Sequence, residues 1–574
     1  MAMFRKRSDF ERMEGKKFGF DQAMTVLCFV LLVIIAVIPV VMIVYTALWN
    51  PETHSIDFAM VKEVLFDKAN VKAMYNSLVV CFFTTLIATI VGVFFAWLLA
   101  RSDVPGKGIM KFMFKIPFMV PPFLGAMAWD MLLSARGGYI NRWIMQLFQL
   151  EKAPFNINSV SGIVFVEVIY FFSFVYNQVV AALERMDPTL EECARIAGAK
   201  QFYVIRKVTL PLVMPAISSG MLLVLITSIS NYGIAATLGF SANVYTLPTK
   251  ITEIMQAAMG SFDGIRRASI VSILLVIVVA IALVIQAKVL NSGSYDIIKG
   301  KAMRPALMKL RGAKYPMMFV SLISLFIMVV MPFICIIVVS FLKTFGMDPF
   351  VATSYTLKNY KDIFATSSVW RSTGNSLLLS FGAGFLALFL GVMLSWVIYK
   401  VKPKGKGGLE FMAVLPYSIP GTVLAVGCML AWSGKLGINI YNTLWILLIC
   451  YTARFLSYTL KACSASLQQV HSSLEEASRM CGANRVQSLT DITIPLIKPA
   501  MLSSFFLVFL PAMRELTTSV LLVGPNSKTL GVAIYQLRSG GYMSPAAALS
   551  VITIAIIMIC NAIVTAVTKD RKGV

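Results

Sequence analysis

Apolar runs of about 20 residues recur from one end of the chain to the other, separated by short polar stretches. Each is as long as a helix must be to cross a hydrocarbon core. The first run, about Met24 to Leu48, is too long for a signal-peptide core and is followed by no small-residue cleavage site, so it reads as a retained span. Further spans are expected at about 77–100, 110–134, 160–183, 215–238, 268–290, 316–342, 375–399, 409–432, 443–466, 499–522 and 546–567. Twelve such elements predict an all-α polytopic membrane protein.

The pattern repeats. Asn76-Ser77-Leu78 opens the second span and Asn375-Ser376-Leu377 the eighth; Trp97 matches Trp396, and Pro117 and Pro121 match Pro416 and Pro420, all 299 residues apart. Further on, the spacing falls to 284: Glu192, Gly198, Pro211 and Pro215 match Glu476, Gly482, Pro495 and Pro499. The second half is therefore 15 residues shorter, most simply in the outer loop after its third span. Two halves are expected, 1–300 and 301–574, joined near Lys288–Lys314. With six spans each they are parallel repeats, related by an axis along the membrane normal and enclosing a central pathway.

Composition sharpens the class. Hydrophobic residues make up 58% of the chain, charged residues 14%, and mean hydropathy is +0.79, outside the range of a soluble domain. The net charge of +24 would suggest nucleic acid in a soluble chain, but in a membrane protein Lys and Arg set orientation and meet anionic headgroups, so no nucleic-acid partner is expected. Lys and Arg are about twice as abundant on one set of alternating loops, which predicts cytoplasmic N- and C-termini in a multi-pass cell-membrane protein. Both repeated polar loops, 186–215 and 470–499, fall on that side. The nine cysteines include no CxxC pair and there are two histidines, so neither a disulfide framework nor a zinc site is indicated.

The polar loops carry helix-start chemistry. Asp187 or Thr189, and Ser472 or Ser473, are candidate N-caps, with Glu192 and Glu476 in the first turn. Gly198 and Gly482 allow a tight turn or a close backbone approach. Pro211 and Pro215, like Pro495 and Pro499, mark the start of the next membrane helix.

The loop pattern resembles the EAA loop of permease subunits in binding-protein-dependent ABC importers. The matching residues are Glu192-Cys193-Ala194, Gly198, Val208 and Leu210-Pro211, then Glu476-Ala477-Ser478, Gly482, Ile492 and Ile494-Pro495. Cys193, Ser478, Val208 and Ile494 depart from it conservatively. Two fused six-span halves, with Tyr355–Tyr360, Leu415–Thr422 and Arg514–Thr518, look like the ferric-iron branch of that family. The resemblance implies a type I ABC importer permease fold, with Glu192, Ala194, Gly198, Pro211, Glu476, Ala477, Gly482 and Pro495 coupling to two copies of a cytoplasmic ATPase. It also implies an extracytoplasmic binding protein that delivers cargo. The chain itself has no GxxxxGK[ST] loop; Gly524-Pro525-Asn526-Ser527-Lys528-Thr529 has the wrong spacing. ATP and Mg are therefore assigned to the partner, with no cofactor on this chain and no enzyme activity of its own.

Embedded polar residues are the pathway candidates, since charge in hydrocarbon usually faces a cavity or a partner. They are Glu167, Asn231, Arg454, Arg514 and Glu515. Glu515 is the repeat-mate of Asn231, and a two-fold axis could bring the two together. Against this stand a structural pairing of Arg454 with a carboxylate and outward snorkelling of Arg514. Asp130 reads as a solvated residue at a helix end. Ferric iron is the expected cargo, with phosphonate (2-aminoethylphosphonate-like), thiamine, polyamine or sulfate as alternatives from related permeases. An ATP-independent secondary transporter would also have twelve spans, but the paired loops argue against it, and no HExxH or facing aspartate pair suggests an intramembrane enzyme.

Overall fold

The structure, a computed structural model, describes residues 19–51, 53–187, 189–258, 261–291 and 307–569. Among these, ten helices are long and apolar enough to cross a membrane, and two bent pairs raise the number to twelve if each pair is one span. The bent pairs are the third and ninth expected spans. Lys107–Met119 turns by 98° into Pro122–Leu133, and Lys406–Ser418 by 110° into Gly421–Trp432. The cause is local: Val120 and Ile419 each precede a proline and are extended, with ψ of 142° and 135°, because the following ring excludes the helical region.

The fifth and eleventh spans are also displaced from their expected limits. They run over Gln201–Ile229 and Arg485–Met513, beginning before the prolines that were expected to start them and ending sooner. The chain breaks after Ile229 and after Met513, then resumes as the short helices Gly233–Gly239 and Ser519–Leu522. Prolines are absorbed in a recurring way. The π-helical segments Val33–Val37, Ile205–Thr209, Phe326–Val330 and Leu489–Thr493 each lead into an α-helix whose second residue is Pro39, Pro211, Pro332 or Pro495. A wider turn removes the clash between the ring and a preceding carbonyl without ending the helix.

The two sequence halves are not two packing units. The first span, Phe20–Leu48, lies against Gly421–Trp432 of the second half, and Arg311–Phe341 lies against Pro122–Leu133 of the first. The larger buried cores accordingly mix the halves: Trp129 and Tyr176 share one with Val339 and Ala547, while Ile43 and Ile270 share another with Val426 and Leu447. The longer loop of the first half holds the helix Tyr139–Phe148, which docks on the second half. There the Tyr139 hydroxyl donates to the Met347 carbonyl at 3.2 Å and its ring meets Phe345 edge to face at 5.4 Å. Residues 292–306 of the linker lie outside the described residues, as do the basic clusters before residue 19. The end of the linker pairs with the first half, Met308 N–H donating to the Arg101 carbonyl at 2.8 Å.

Candidate functional site

Each repeated polar loop folds as a short helix, Thr189–Ile196 in one copy and Ser472–Met480 in the other. In the first, Asp187 Oδ1 accepts the Thr189 N–H at 2.9 Å, and that bond holds the Asp187 carboxyl below the ordinary aspartate range. In the second, the cap is the repeat-mate His471, whose Nδ1 accepts the Ser473 N–H at 3.3 Å, in place of the expected Ser472 or Ser473. Gly198 and Gly482 end the helices with φ of +83° and +93°, and a Cβ at either would meet nothing within 4 Å. Their role is the left-handed turn and not a close approach.

What holds these helices in place is the acid before the expected one. Thr209 Oγ1 donates to Glu191 at 2.7 Å, and its repeat-mate Thr493 donates to Glu475 at 2.8 Å. Arg101, at the end of the second span, pairs with Glu191 at 3.8 Å and donates to the Met186 carbonyl at 3.4 Å. Lys400, at the end of the eighth, pairs with Glu475 at 3.1 Å and donates to the Val470 carbonyl at 3.2 Å. Each of these bonds has its counterpart in the other copy, while Arg195 adds a further pair with Glu191 at 3.6 Å in the first. The loop helix is thus tied to the ends of three membrane helices. Glu192, Glu476 and Ala477 face solvent and Ala194 is half-buried. Beside them Ile196 and Met480, repeat-mates again, are 87% and 88% exposed. Each loop helix thus presents one large apolar side chain at the same repeat position.

A cavity of about 470 Å³ lies between the halves. The proline breaks open onto it through Pro117, Phe118, Tyr417 and Ile419, and its lining is mainly apolar with a few polar side chains set among it. Aromatic pairs face it symmetrically: Phe118 with Phe174, and Tyr417 with Tyr458, each edge to face at 5.3 Å. Asn231, Arg454, Arg514 and Glu515 all line it. Arg454 Nε lies 3.8 Å from Glu515 Oε2, and a Cβ on Gly421 would collide with the Arg454 guanidinium. Arg514 donates Nη1–H to the Phe118 carbonyl and lies 5.2 Å from the centre of the Phe118 ring, directed into the protein and not snorkelling outward. Glu515 and Asn231 also bond backbone N–H groups at the start of the short helices after the chain breaks, accepting from Thr518 at 3.0 Å and Ile234 at 2.9 Å.

Residues 88–293 and 387–573 match the family described as binding-protein-dependent transport system inner membrane component. The chain belongs to this family. The permease is 26% identical to the ferric transport system permease protein FbpB of Actinobacillus pleuropneumoniae over 553 residues, 95% of this chain and 78% of that one. It is 28% identical over 208 residues to PhnV of Salmonella typhi, a relative named for 2-aminoethylphosphonate transport, covering 36% of this chain and 78% of that one. A solved bacterial ABC transporter that imports the acidic polysaccharide alginate aligns with a TM-score of 0.37 at 17% identity, covering 45% of the permease and 95% of that chain.

Glu167 lies apart from the cavity lining. It is buried between helices, accepting hydrogen bonds from Thr84 Oγ1 at 3.1 Å and Ser228 Oγ at 2.5 Å. Asp130 is not a solvated boundary residue: it is 7% exposed, pairs with Arg538 at 2.7 Å and accepts from Asn158 Nδ2 at 3.0 Å. The stretch Gly524–Thr529 is a structural loop clasped by Asn375, whose Nδ2 donates to the Asn526 and Lys528 carbonyls at 3.0 and 2.9 Å. Asn76 makes the equivalent bond to the Tyr245 carbonyl at 2.9 Å. Glu191, Glu475, Arg101, Lys400 and Arg538 were not singled out from the sequence, although the alignment of the two halves already paired Arg101 with Lys400 and Glu191 with Glu475.

Proposed function

We propose that this permease is the membrane subunit of an ATP-driven importer that moves ferric iron into the cytoplasm by alternating access. Its N- and C-termini and both loop helices face the cytoplasm, as the Lys and Arg asymmetry of the loops favours. One ATPase subunit binds each loop helix, and ATP and Mg reside on those partners. An extracytoplasmic binding protein docks on the opposite face. The observation that carries the reading is the duplicated anchor: Glu191 with Thr209 and Arg101, and Glu475 with Thr493 and Lys400, each on a loop helix that carries an exposed apolar side chain. Two equivalent lever points, each tied to three helices, suit a pair of partners that close together and drive both halves between inward and outward access.

Iron is the proposed cargo because FbpB is similar along nearly the whole chain, whereas PhnV is similar over about a third of it. The test is uptake by proteoliposomes holding the permease, its ATPase and its binding protein. ATP-dependent accumulation of radioactive iron, lost when Ile196 and Met480 are both changed to Glu, is the expected result. Accumulation driven by an ion gradient without ATP would overturn it.

A further inference from the structure

The cavity is charged on one side only. Arg454, Arg514 and Glu515 come from the second half, and their repeat-mates Tyr170, Ser230 and Asn231 are uncharged. Among the described residues lining the cavity these three are the charged ones, two cations against one anion. Glu515 is already engaged by Arg454 and by the Thr518 N–H. Arg514 is left with a backbone carbonyl and an aromatic ring, and Arg454 Nη1 is buried without a hydrogen-bond partner. A structural ion pair needs one arginine. A second guanidinium in an apolar surround is costly unless something anionic meets it, and planar N–H forks match oxyanions such as carboxylate, phosphate and phosphonate. Asn177, Gln178, Tyr417 and Tyr458 add neutral polar groups around the same space.

We infer that the cavity is a transit site for an oxyanion, gripped by Arg514 beside the Arg454–Glu515 pair, so that the cargo crosses as an anion-bearing species and not as a bare cation. This rests on the permease reading and narrows its cargo. A hard trivalent cation prefers several oxygen ligands, whereas the lining offers one carboxylate, already paired. The oxyanion has two possible sources: an anion bound to ferric iron, or a free organic phosphonate. The shared element is the doubly or singly charged oxygen cluster that the arginines recognise.

The test uses the full-length permease in lipid nanodiscs with three radiolabelled probes: inorganic phosphate, 2-aminoethylphosphonate, and ferric iron with and without phosphate. Wild type is expected to bind at least one oxyanion probe in a salt-sensitive way. Arg514→Gln should weaken that binding about tenfold or more, and Arg514→Lys, which keeps the charge, should lose less and serves as the folding control. Binding of 2-aminoethylphosphonate without iron assigns the free phosphonate; binding of iron only with phosphate assigns the iron-bound anion. No oxyanion binding, binding equal in wild type and Arg514→Gln, or iron held without any oxyanion would each overturn the inference. ATP-driven uptake by the complete transporter is measured in parallel. If wild type takes up cargo and Arg514→Gln does so equally well, the oxyanion site fails alone; if wild type shows no ATP-driven uptake, the permease function proposed above fails instead.

Discussion

Asn231 and Glu515 do the same structural work in the two halves: each accepts the backbone N–H three residues further on, at 2.9 and 3.0 Å, and so starts a short helix beyond a break in its membrane span. The break itself places both residues on the cavity. Only Glu515 adds charge, and that charge meets Arg454.

The first prediction follows from this double role. Asn231→Ala should lower stability by about 1 kcal/mol, the usual value of a lost side-chain bond at a helix start. Glu515→Ala should lower it further, since it also strands Arg454, and Glu515→Gln should fall between because an acceptor remains. Thermal unfolding in detergent checks the order. Equal losses for Asn231→Ala and Glu515→Ala would mean that the Arg454 pair contributes nothing.

The second concerns the loop glycines. With φ of +83° and +93° and open space where a Cβ would stand, Gly198→Ala and Gly482→Ala should each cost about 1–2 kcal/mol through backbone strain. Leu at the same positions should cost no more than Ala, and Asn should cost less. Measured on the permease alone, a loss that grows with side-chain size would contradict the absence of neighbours.

Span number, duplication and the position of the polar loops were legible because each is a pattern of many residues. Twenty apolar positions in a row, or a dozen residues recurring at one spacing, survive local exceptions. The breaks were not legible as breaks: Pro121 and Pro420 were visible, but whether a proline bends a helix by 98° or passes through behind a π turn, as Pro211 and Pro495 do, depends on what the freed backbone can bond to. Hydrophobicity continued across Ser230 and Arg514, so the spans seemed to continue as well. Glu191 was passed over for Glu192 because the family pattern names the exposed acid, while the buried anchor shows itself only when Arg101 and Thr209 are brought to it by folding.

That distinction gives the third prediction. Glu191→Ala leaves Arg101, 2% exposed, without its carboxylate, and breaking a buried pair from one side costs about 3 kcal/mol. Glu192→Ala removes a solvent-facing side chain and should change stability by less than about 0.5 kcal/mol. Protease sensitivity of the loop, together with thermal unfolding, separates the two. In the complete transporter Glu191→Ala should also permit ATP hydrolysis with reduced uptake, because the helix would no longer be tied to the second span.

The fourth concerns the bond between the halves at Asp130 and Arg538. Arg538 Nη2 reaches Asp130 at 2.7 Å and also donates to the Thr237 carbonyl, so one second-half side chain clasps two first-half elements. At the spacings of 299 and 284 the repeat-mates of Asp130 and Arg538 are Met429 and Ile254, both uncharged, so the clasp is not duplicated. Both side chains are about nine-tenths buried, which makes a one-sided deletion costly: Asp130→Ala should destabilise by about 3 kcal/mol. The double variant Asp130→Ala with Arg538→Ala should recover part of that loss, because no unpaired charge remains. Alternating access requires the halves to separate and rejoin somewhere, and an ionic clasp is a low-cost place to do so, alongside the Asp103–Lys314 and Asp21–Arg485 pairs that also join the halves. The double variant should therefore shift the balance of access states, which spin labels on either half would read as a longer mean separation near Asp130. An unchanged distance distribution, together with losses that simply add, would show that the pair is packing and not a clasp.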